Sequence, residues 1–181
     1  MNNQLLIDLA KASIKDELFG SSSIDKVQLQ SEYPYLNEER ATFVTLYLDN
    51  RLRGCIGSLL PQRQLIDDIC YNAKAAAFHD YRFQPVTKEE FGVLQIEISL
   101  LSLPQEVIYS SLEELKEKIQ PGRDGVILQK NNDKATFLPQ VWEQLPTFEL
   151  FFEHLCQKAG LCKDCLKNVP KIETYQVEKI Q

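Results

Sequence analysis

The sequence predicts an α+β fold in which an antiparallel or mixed β-sheet packs against helices. Runs of β-branched and aromatic residues occur in pairs joined by short turns, which is typical of antiparallel hairpins. Segments with helical periodicity lie between these strand pairs and do not alternate with single strands, as they would in a doubly wound parallel sheet. The chain has 181 residues, of which 44% are hydrophobic, and this is enough for one sizeable core.

In the first part of the chain, apolar residues at helical spacing indicate helices, and β-branched runs flanked by Asp or Asn indicate strands and turns. A stretch without either pattern is predicted to be a loop. These signals predict a helix over 3–19, a flexible link over 20–23, a loop over 24–40, a hairpin of strands 41–48 and 52–58 that turns at Asp49-Asn50, and a helix that ends near Phe78.

In the rest of the chain, Thr87 and Ser111 each precede a glutamate by three residues, which is the spacing of a helix-capping box. Alternating polar and apolar residues predict a strand that has one face on a core. The predicted elements are a loop over 79–86, a helical turn after Thr87, a strand over 93–102, a helix after Ser111, a hairpin over 125–138, a helix after Thr147 and a last strand over 171–179.

We expect one domain over residues 1–181, with 1–23 as an N-terminal helix and linker and with a smaller second lobe. The net charge of −6 is unfavourable for nucleic-acid binding, so RNA association is the weakest functional hypothesis. No apolar run approaches the roughly 20 residues of a membrane span, and no signal-peptide core is present. We therefore expect a cytoplasmic protein without membrane contact, and the lack of cofactor-binding fingerprints predicts no cofactor.

The segment Leu52–Gly57 (LRGCIG) is the strongest candidate for a functional centre. Gly54 and Gly57 weaken a strand and mark a bulge or a close backbone approach, which we interpret as room for a ligand. Arg53 places positive charge near Cys55, which favours the reactive thiolate or binds an anion. Cys55 is therefore a candidate catalytic thiol. The alternative is a small buried residue in a bulged strand.

Further polar candidates follow the third predicted helix and lie in the strand over 93–102. His79 is a candidate general base, whereas Asp80 and Arg82 either form one wall of a binding cleft or pair with each other to fix their loop. Glu97 points away from the aliphatic side chains of its strand. It is a candidate catalytic carboxylate if it faces a polar pocket, and an ordinary surface residue if it faces water.

Two polar residues near the second hairpin are candidate ligand contacts. Thr136 and Gln140 flank a Phe-Leu-Pro segment, in which the proline must end a strand. Their side chains could hydrogen-bond a ligand, or they could simply fix the loop that follows the strand.

The five cysteines include Cys162 and Cys165 in a C-x-x-C arrangement, with Cys156 six residues before the first of them. Three thiolates this close could bind zinc or iron, and a C-x-x-C pair could cycle as a dithiol. A structural zinc site needs a fourth ligand, and His154 is available only two residues before Cys156 on the same predicted helix. The alternative is that these thiols are incidental and no metal is bound. The odd number of cysteines in a reducing compartment argues against a disulfide framework.

The LRGCIG segment resembles the central motif of the AMMECR1 family, and the resemblance continues through further blocks in the family's order. Together these blocks extend over most of residues 40–161. They are Asp80–Val86 (DYRFQPV), Ile96–Ser102 (IEISLLS), Gly122–Val126 (GRDGV), Ala135–Trp142 (ATFLPQVW) and Leu155–Leu161 (LCQKAGL).

The resemblance implies a two-lobed α+β fold built on an antiparallel sheet, and it places the family's proposed catalytic cysteine on Cys55. It also implies a shared pathway with a Memo-like protein and a radical SAM protein, the AmmeMemoRadiSam system. Two functions remain open: a cysteine-dependent enzyme or substrate-handling component, and a non-enzymatic adaptor in which LRGCIG is structural. The chain departs from the family at three positions. Proline is usual at the position of Cys162, alanine at that of Cys165 and tryptophan at that of Leu166.

Overall fold

The computed structural model describes all 181 residues, and it confirms the predicted α+β class with antiparallel sheets packed against helices. The helices are α1 (Asn3–Phe19), α2 (Lys26–Glu32), α3 (Leu65–Phe78), α4 (Lys88–Phe91), α5 (Leu112–Lys118) and α6 (Phe148–Lys158). The strands are β1 (Thr42–Leu48), β2 (Arg51–Gly57), β3 (Gln95–Leu101), β4 (Gln105–Glu106), β5 (Gly125–Lys130), β6 (Asp133–Phe137), β7 (Lys171–Tyr175) and β8 (Val177–Ile180).

The chain divides into two compact units. The first unit contains residues 1–101 and 178–181, and the second contains residues 102–177. The first sheet has the strand order β2-β1-β3-β8, and the second has the order β4-β7-β5-β6. None of the helices combines the length and the apolar character that crossing a bilayer requires.

The predicted hairpin of β1 and β2 turns at Asp49 and Asn50, which both have positive φ angles, 50° and 60°. Two such residues in succession are typical of a type I′ turn, and its twist matches that of the strands it joins. Val44 and Leu46 of β1 point to the core formed with α1 and α3, so Thr45 between them points to the opposite face of the sheet.

A buried polar cluster fixes α3 to the ends of β1 and β2. The carboxylate of Asp68 is fully buried and accepts hydrogen bonds from the backbone and the hydroxyl of Thr42, at 2.8 and 2.7 Å. It also accepts hydrogen bonds from Ser58 at 2.7 Å and Asn72 at 2.9 Å. Arg63 approaches it to 3.4 Å. Because its lone pairs are satisfied, this carboxylate serves to position the sheet.

The second unit packs its sheet against α5 and α6. Trp142 stacks on Phe151 of α6 with a distance of 3.7 Å between ring centroids, and its indole N–H donates to the backbone carbonyl of Asp124. Tyr175 of β7 lies against Gly125 of β5, where any larger residue would overlap its ring. Contacts of aromatic side chains therefore hold the sheet, α6 and the Trp142 segment together in this core.

Two sequence-based predictions about the elements were wrong. Residues 24–40 are not a loop but contain α2 and a 3₁₀ helix over Pro34–Asn37. Helix α2 buries none of its residues and starts at the capping residue Asp25, so it lacks the apolar periodicity that would have indicated it. Residues 171–179 are not one strand, because β7 and β8 are separate and belong to different sheets.

Candidate functional site

The candidate site is on β2, which contains a β-bulge at Arg53. Leu46 of β1 pairs with Gly54, whereas the next residue, Tyr47, pairs with Leu52. Arg53 is therefore the extra residue of the bulge, as the two glycines had suggested. A bulge shifts the register by one residue, so every side chain that follows it on β2 meets a different partner from the one expected in a regular hairpin.

This shift places Cys55 directly opposite Thr45 of β1, and Thr45 lies opposite Glu97 of β3 on its other side. The three side chains form a line across the sheet face opposite α1 and α3, which we call the polar row. The hydroxyl of Thr45 donates a hydrogen bond to the sulfur of Cys55 at 3.3 Å. Thr45 and Glu97 are buried, whereas Cys55 is a free thiol that is partly exposed.

Glu97 is buried and lies beside a cavity that polar and apolar side chains line. One carboxylate oxygen accepts a hydrogen bond from the side-chain amide of Gln181 at 2.6 Å, and the other lies 3.3 Å from the ammonium group of Lys179. The adjacent cavity has a volume of about 460 Å³ and is lined by Tyr47, Asn50, Gln95, Ile96, Glu97 and Gln181. The buried carboxylate is therefore paired and is available to polar groups that enter this cavity.

The loop after α3 holds Cys55 by its backbone. Asp80, which is buried, accepts hydrogen bonds from the Cys55 N–H at 2.9 Å and from two nitrogens of the Arg82 guanidinium at 2.7 and 2.9 Å. Arg82 also donates to the Cys55 carbonyl at 3.4 Å. The Cys55 N–H is therefore occupied and not free to stabilise an oxyanion.

The hydrogen bonds of Asp80 also determine the pKa of its carboxyl group. Hydrogen bonds from the Arg82 guanidinium, helped by the backbone N–H groups of Cys55 and Arg82, hold the pKa of the Asp80 carboxyl well below its usual range, although burial opposes this. Asp80 is therefore ionised at neutral pH, where it anchors the loop to the Cys55 backbone. The contacts of Asp80 are those of a residue that fixes its loop. Arg82 is half-exposed and remains accessible to an anion, as in the wall of a binding cleft.

The guanidinium of Arg53 has a partner that the sequence did not suggest. Its guanidinium forms a two-point ion pair with Glu90, at 2.9 and 3.0 Å, and this pair lowers the pKa of the Glu90 carboxyl. Glu90 also accepts the backbone N–H of Thr87 in the predicted capping box of α4. Arg53 is also the bulge residue without a partner on β1, so the regular alternation that would place it on the same face as Cys55 is interrupted there.

The two motif glycines serve packing within the chain. A Cβ atom added to Gly54 would overlap the carbonyl oxygen of Ala76, and one added to Gly57 would overlap the ring of Phe43. The predicted close backbone approach exists at Gly54, but it is made by helix α3 and not by a ligand. Gly54 thereby sets the distance between β2 and α3.

Three other candidates are not part of the polar row. His79 lies at the C-terminal end of α3 with an exposed side chain. Thr136 belongs to the second unit, where its hydroxyl lies 3.1 Å from the hydroxyl of Tyr175, and Gln140 is exposed on the 3₁₀ helix Pro139–Glu143. Thr136 therefore has a partner in its own unit, and the role of His79 as a base stays a prediction.

The cysteines of the second unit also differ from expectation. Cys156 and Cys165 form a disulfide with their Cα atoms 5.9 Å apart, whereas Cys162 is free and exposed. The prediction against disulfides was wrong, and two of the three thiolates considered as metal ligands are bonded to each other. The pairing could not be read from the spacing, since it depends on how the chain turns back after α6.

Sequence reasoning also missed Thr45 of the polar row, and Lys179 and Gln181, which are the partners of Glu97. Thr45 pairs with Cys55 only because of the bulge, and the two C-terminal residues reach Glu97 because β8 lies next to β3 in the sheet. A regular two-residue hairpin would have placed Thr45 opposite Gly54, so only the position of the bulge could have revealed this contact.

Comparisons with known proteins agree with the motif blocks. The profile of the AMMECR1 family matches residues 7–180. A protein of Aquifex aeolicus is 36% identical over 175 residues, which is 93% of this chain and 86% of that protein. Protein MJ0810 of Methanocaldococcus jannaschii is 38% identical over 162 residues, covering 86% of this chain and 77% of that protein.

A solved structure is similar as well. The crystal structure of the uncharacterized protein PH0010 from Pyrococcus horikoshii superposes with a TM-score of 0.75 at 34% identity, and covers 97% of this chain and 88% of that chain. The similarity thus extends over residues of both units. With a family profile that spans nearly its whole length, this chain belongs to the AMMECR1 family.

Proposed function

We propose that the protein is a cysteine-dependent, substrate-handling enzyme in which the sulfur of Cys55 contacts the substrate. The observation that carries this proposal is the polar row, in which a partly exposed thiol accepts a hydrogen bond from Thr45 and shares a sheet face with the buried carboxylate of Glu97. A hydrogen-bond donor to sulfur favours the thiolate, which is the nucleophilic form of cysteine.

The other groups have separate roles in this proposal. Arg82 is half-exposed and lies next to the Cys55 carbonyl, so its free guanidinium edge can bind a carboxylate or phosphate of the substrate. Asp80 keeps Arg82 and the Cys55 backbone in place, and is a positioning residue. Glu97 borders the cavity and can accept hydrogen bonds from a polar part of the substrate.

The AMMECR1 family resemblance supports a partnership with a Memo-like protein and a radical SAM protein. In this proposal the three proteins act on the same pathway, and Cys55 handles the substrate that passes between them. A pull-down with both partners, carried out with wild-type protein and Cys55→Ser, tests this. We expect Cys55→Ser to bind both partners as the wild type does, and the pathway to lose its activity.

Thiol alkylation tests the role of Cys55 directly. Native protein is treated with iodoacetamide at neutral pH, and each cysteine peptide is quantified over time by mass spectrometry. We expect Cys55 to react faster than a model thiol, and the buried Cys70, whose pKa burial raises, to react most slowly. A rate for Cys55 no higher than that of the model thiol would rule out nucleophilic catalysis.

A second candidate function is a non-enzymatic adaptor, and one observation favours it. The hydrogen-bonding partners of Cys55 are a hydroxyl on its sulfur and an ion pair on its backbone, and none of them is a general base. In this case LRGCIG shapes a docking surface. Full pathway activity of Cys55→Ser, together with a stable complex, would establish the adaptor and overturn the enzyme.

A further inference from the structure

Three cysteines lie within ten residues of the chain at and after the end of α6, outside the polar row. Cys156, in the last turns of α6, is bonded to Cys165, the first residue of a 3₁₀ helix over Cys165–Asn168. Both are fully buried in the core of the second unit. Cys162 lies on the connecting segment and is an exposed free thiol. The exposed thiol of Cys162 is thus only three residues in sequence from a buried disulfide.

The backbone brings Cys162 near Cys165. The N–H of Cys165 donates to the carbonyl of Cys162 at 3.0 Å, which closes a tight turn over residues 162–165. Such a turn holds its first and fourth Cα atoms within about 7 Å. Disulfides span Cα distances of about 4.4–6.8 Å, so a small movement of the turn allows a bond between these two residues. Cys165 therefore has two potential partners, one buried and one exposed.

We propose that residues 156–165 form a thiol–disulfide exchange site in which Cys162 is the nucleophile. The Cys162 thiolate attacks the sulfur of Cys165, so that a Cys162–Cys165 bond forms and the Cys156–Cys165 bond breaks. The bonding electron pair leaves with the sulfur of Cys156, which takes up one proton, while the proton of Cys162 has passed to solvent. The step is an isomerisation and needs no external oxidant or reductant.

The exchange converts a buried disulfide into one that small thiols can reach. The sulfur atoms of Cys156 and Cys165 belong to fully buried residues, so an external thiol has no direct path to them. After exchange, the disulfide includes the exposed Cys162, and a low-molecular-weight thiol can reduce it. A low-molecular-weight disulfide restores it by the reverse route, which makes external thiols and disulfides the co-substrates of this site.

The rate of reduction tests the proposal. Wild-type protein and Cys162→Ser are incubated with reduced glutathione, quenched in acid at intervals and alkylated, and the freed Cys156 and Cys165 are quantified by mass spectrometry. We expect the disulfide to be reduced about tenfold faster in the wild type, since an intramolecular thiol acts at a high effective concentration. Cys70→Ala, which removes a buried free thiol from the first unit, should match the wild type. Equal rates in wild type and Cys162→Ser would overturn the proposal.

A second variant tests the new bond itself. Cys156→Ala, treated with oxidised glutathione, is expected to form the Cys162–Cys165 disulfide, detected as a crosslinked peptide. Accumulation of glutathione on Cys162 without that crosslink would overturn the proposal. Fluorescence of the single tryptophan, Trp142, reports on whether the core of the second unit is intact. Because Cys162 is exposed, the rate comparison decides the question even if Cys156→Ala does not fold.

Discussion

The carboxylate of Asp80 accepts a hydrogen bond from the backbone N–H of Cys55 at 2.9 Å, so the loop after α3 holds the candidate thiol by its main chain. The same carboxylate is bound by Arg82, whose guanidinium also reaches the Cys55 carbonyl. One ion pair thus links a loop to a bulged strand. The position of the thiol depends on a residue that does not touch its sulfur.

Asp80→Asn is expected to destabilise the protein by about 1–3 kcal/mol at neutral pH, because it weakens hydrogen bonds to a buried ionised group. In the wild type, the pKa of Asp80 is below that of the unfolded chain, so its stabilising contribution is present above about pH 4 and is lost as the pH falls further. Urea unfolding at several acidic pH values measures both effects.

Asp67→Asn is the matched control for this prediction. Asp67 pairs with Lys26 on the surface, with both side chains more than 40% exposed, so its loss should cost no more than about 1 kcal/mol. An Asp80→Asn variant with the stability and the acid sensitivity of the wild type would contradict the anchoring role.

Thr45→Val is expected to slow alkylation of Cys55 about two- to tenfold, because it removes the hydrogen bond of about 0.5–1.5 kcal/mol between the Thr45 hydroxyl and the sulfur. Valine has nearly the same shape as threonine, so packing is preserved. Thr45→Ser keeps the hydroxyl and should retain most of the reactivity. If the valine variant reacts as fast as the wild type, the Thr45 hydroxyl has no influence on the thiol.

Gly54→Ala is expected to destabilise the protein by about 1–3 kcal/mol or more, since the added methyl group overlaps the backbone of Ala76 and forces β2 away from α3. Gly92→Ala is the control, because a Cβ at Gly92 meets no atom closer than 4.0 Å and its φ of −64° suits alanine. That control should be neutral or slightly stabilising. Thermal or urea unfolding of both variants decides whether the close approach matters.

Glu90→Gln is expected to cost about 1–3 kcal/mol, because it leaves the mostly buried Arg53 without its counter-charge. The matched control is Glu89→Gln, which removes a carboxylate from an exposed neighbour in the same helical turn and should have little effect. Similar losses in the two variants would show that the ion pair contributes nothing specific. Urea unfolding at neutral pH makes the comparison.

The elements with strong local signals could be predicted from the sequence. The turn at Asp49-Asn50 was predictable because both residue types tolerate positive φ, and the Thr87 capping box because its chemistry is contained in four residues. Helix α2 could not be predicted in this way, since it buries nothing and shows no apolar periodicity.

The candidate site was only partly predictable for a similar reason. The sequence motif led to Cys55, but the direction of Arg53 depends on the bulge, and the partners of Glu97 come from β8, far away in the chain. The pairing of Cys156 with Cys165 likewise depends on tertiary packing. Contacts between distant residues follow from the fold as a whole, and spacing alone does not encode them.

The place of β8 has a consequence for biosynthesis. The first unit takes its fourth strand from the last residues of the sequence shown, and Ile180 from that strand is part of its core. During translation, the ribosome must therefore produce the whole second unit before the first sheet can be completed. The second unit is continuous in sequence and can fold as soon as it leaves the ribosome. The first unit is made earlier, but the edge of its sheet stays unpaired until β8 is available. Glu97 gains its partners Lys179 and Gln181 only after β8 has been made, so a chain that terminates before β8 lacks both of them.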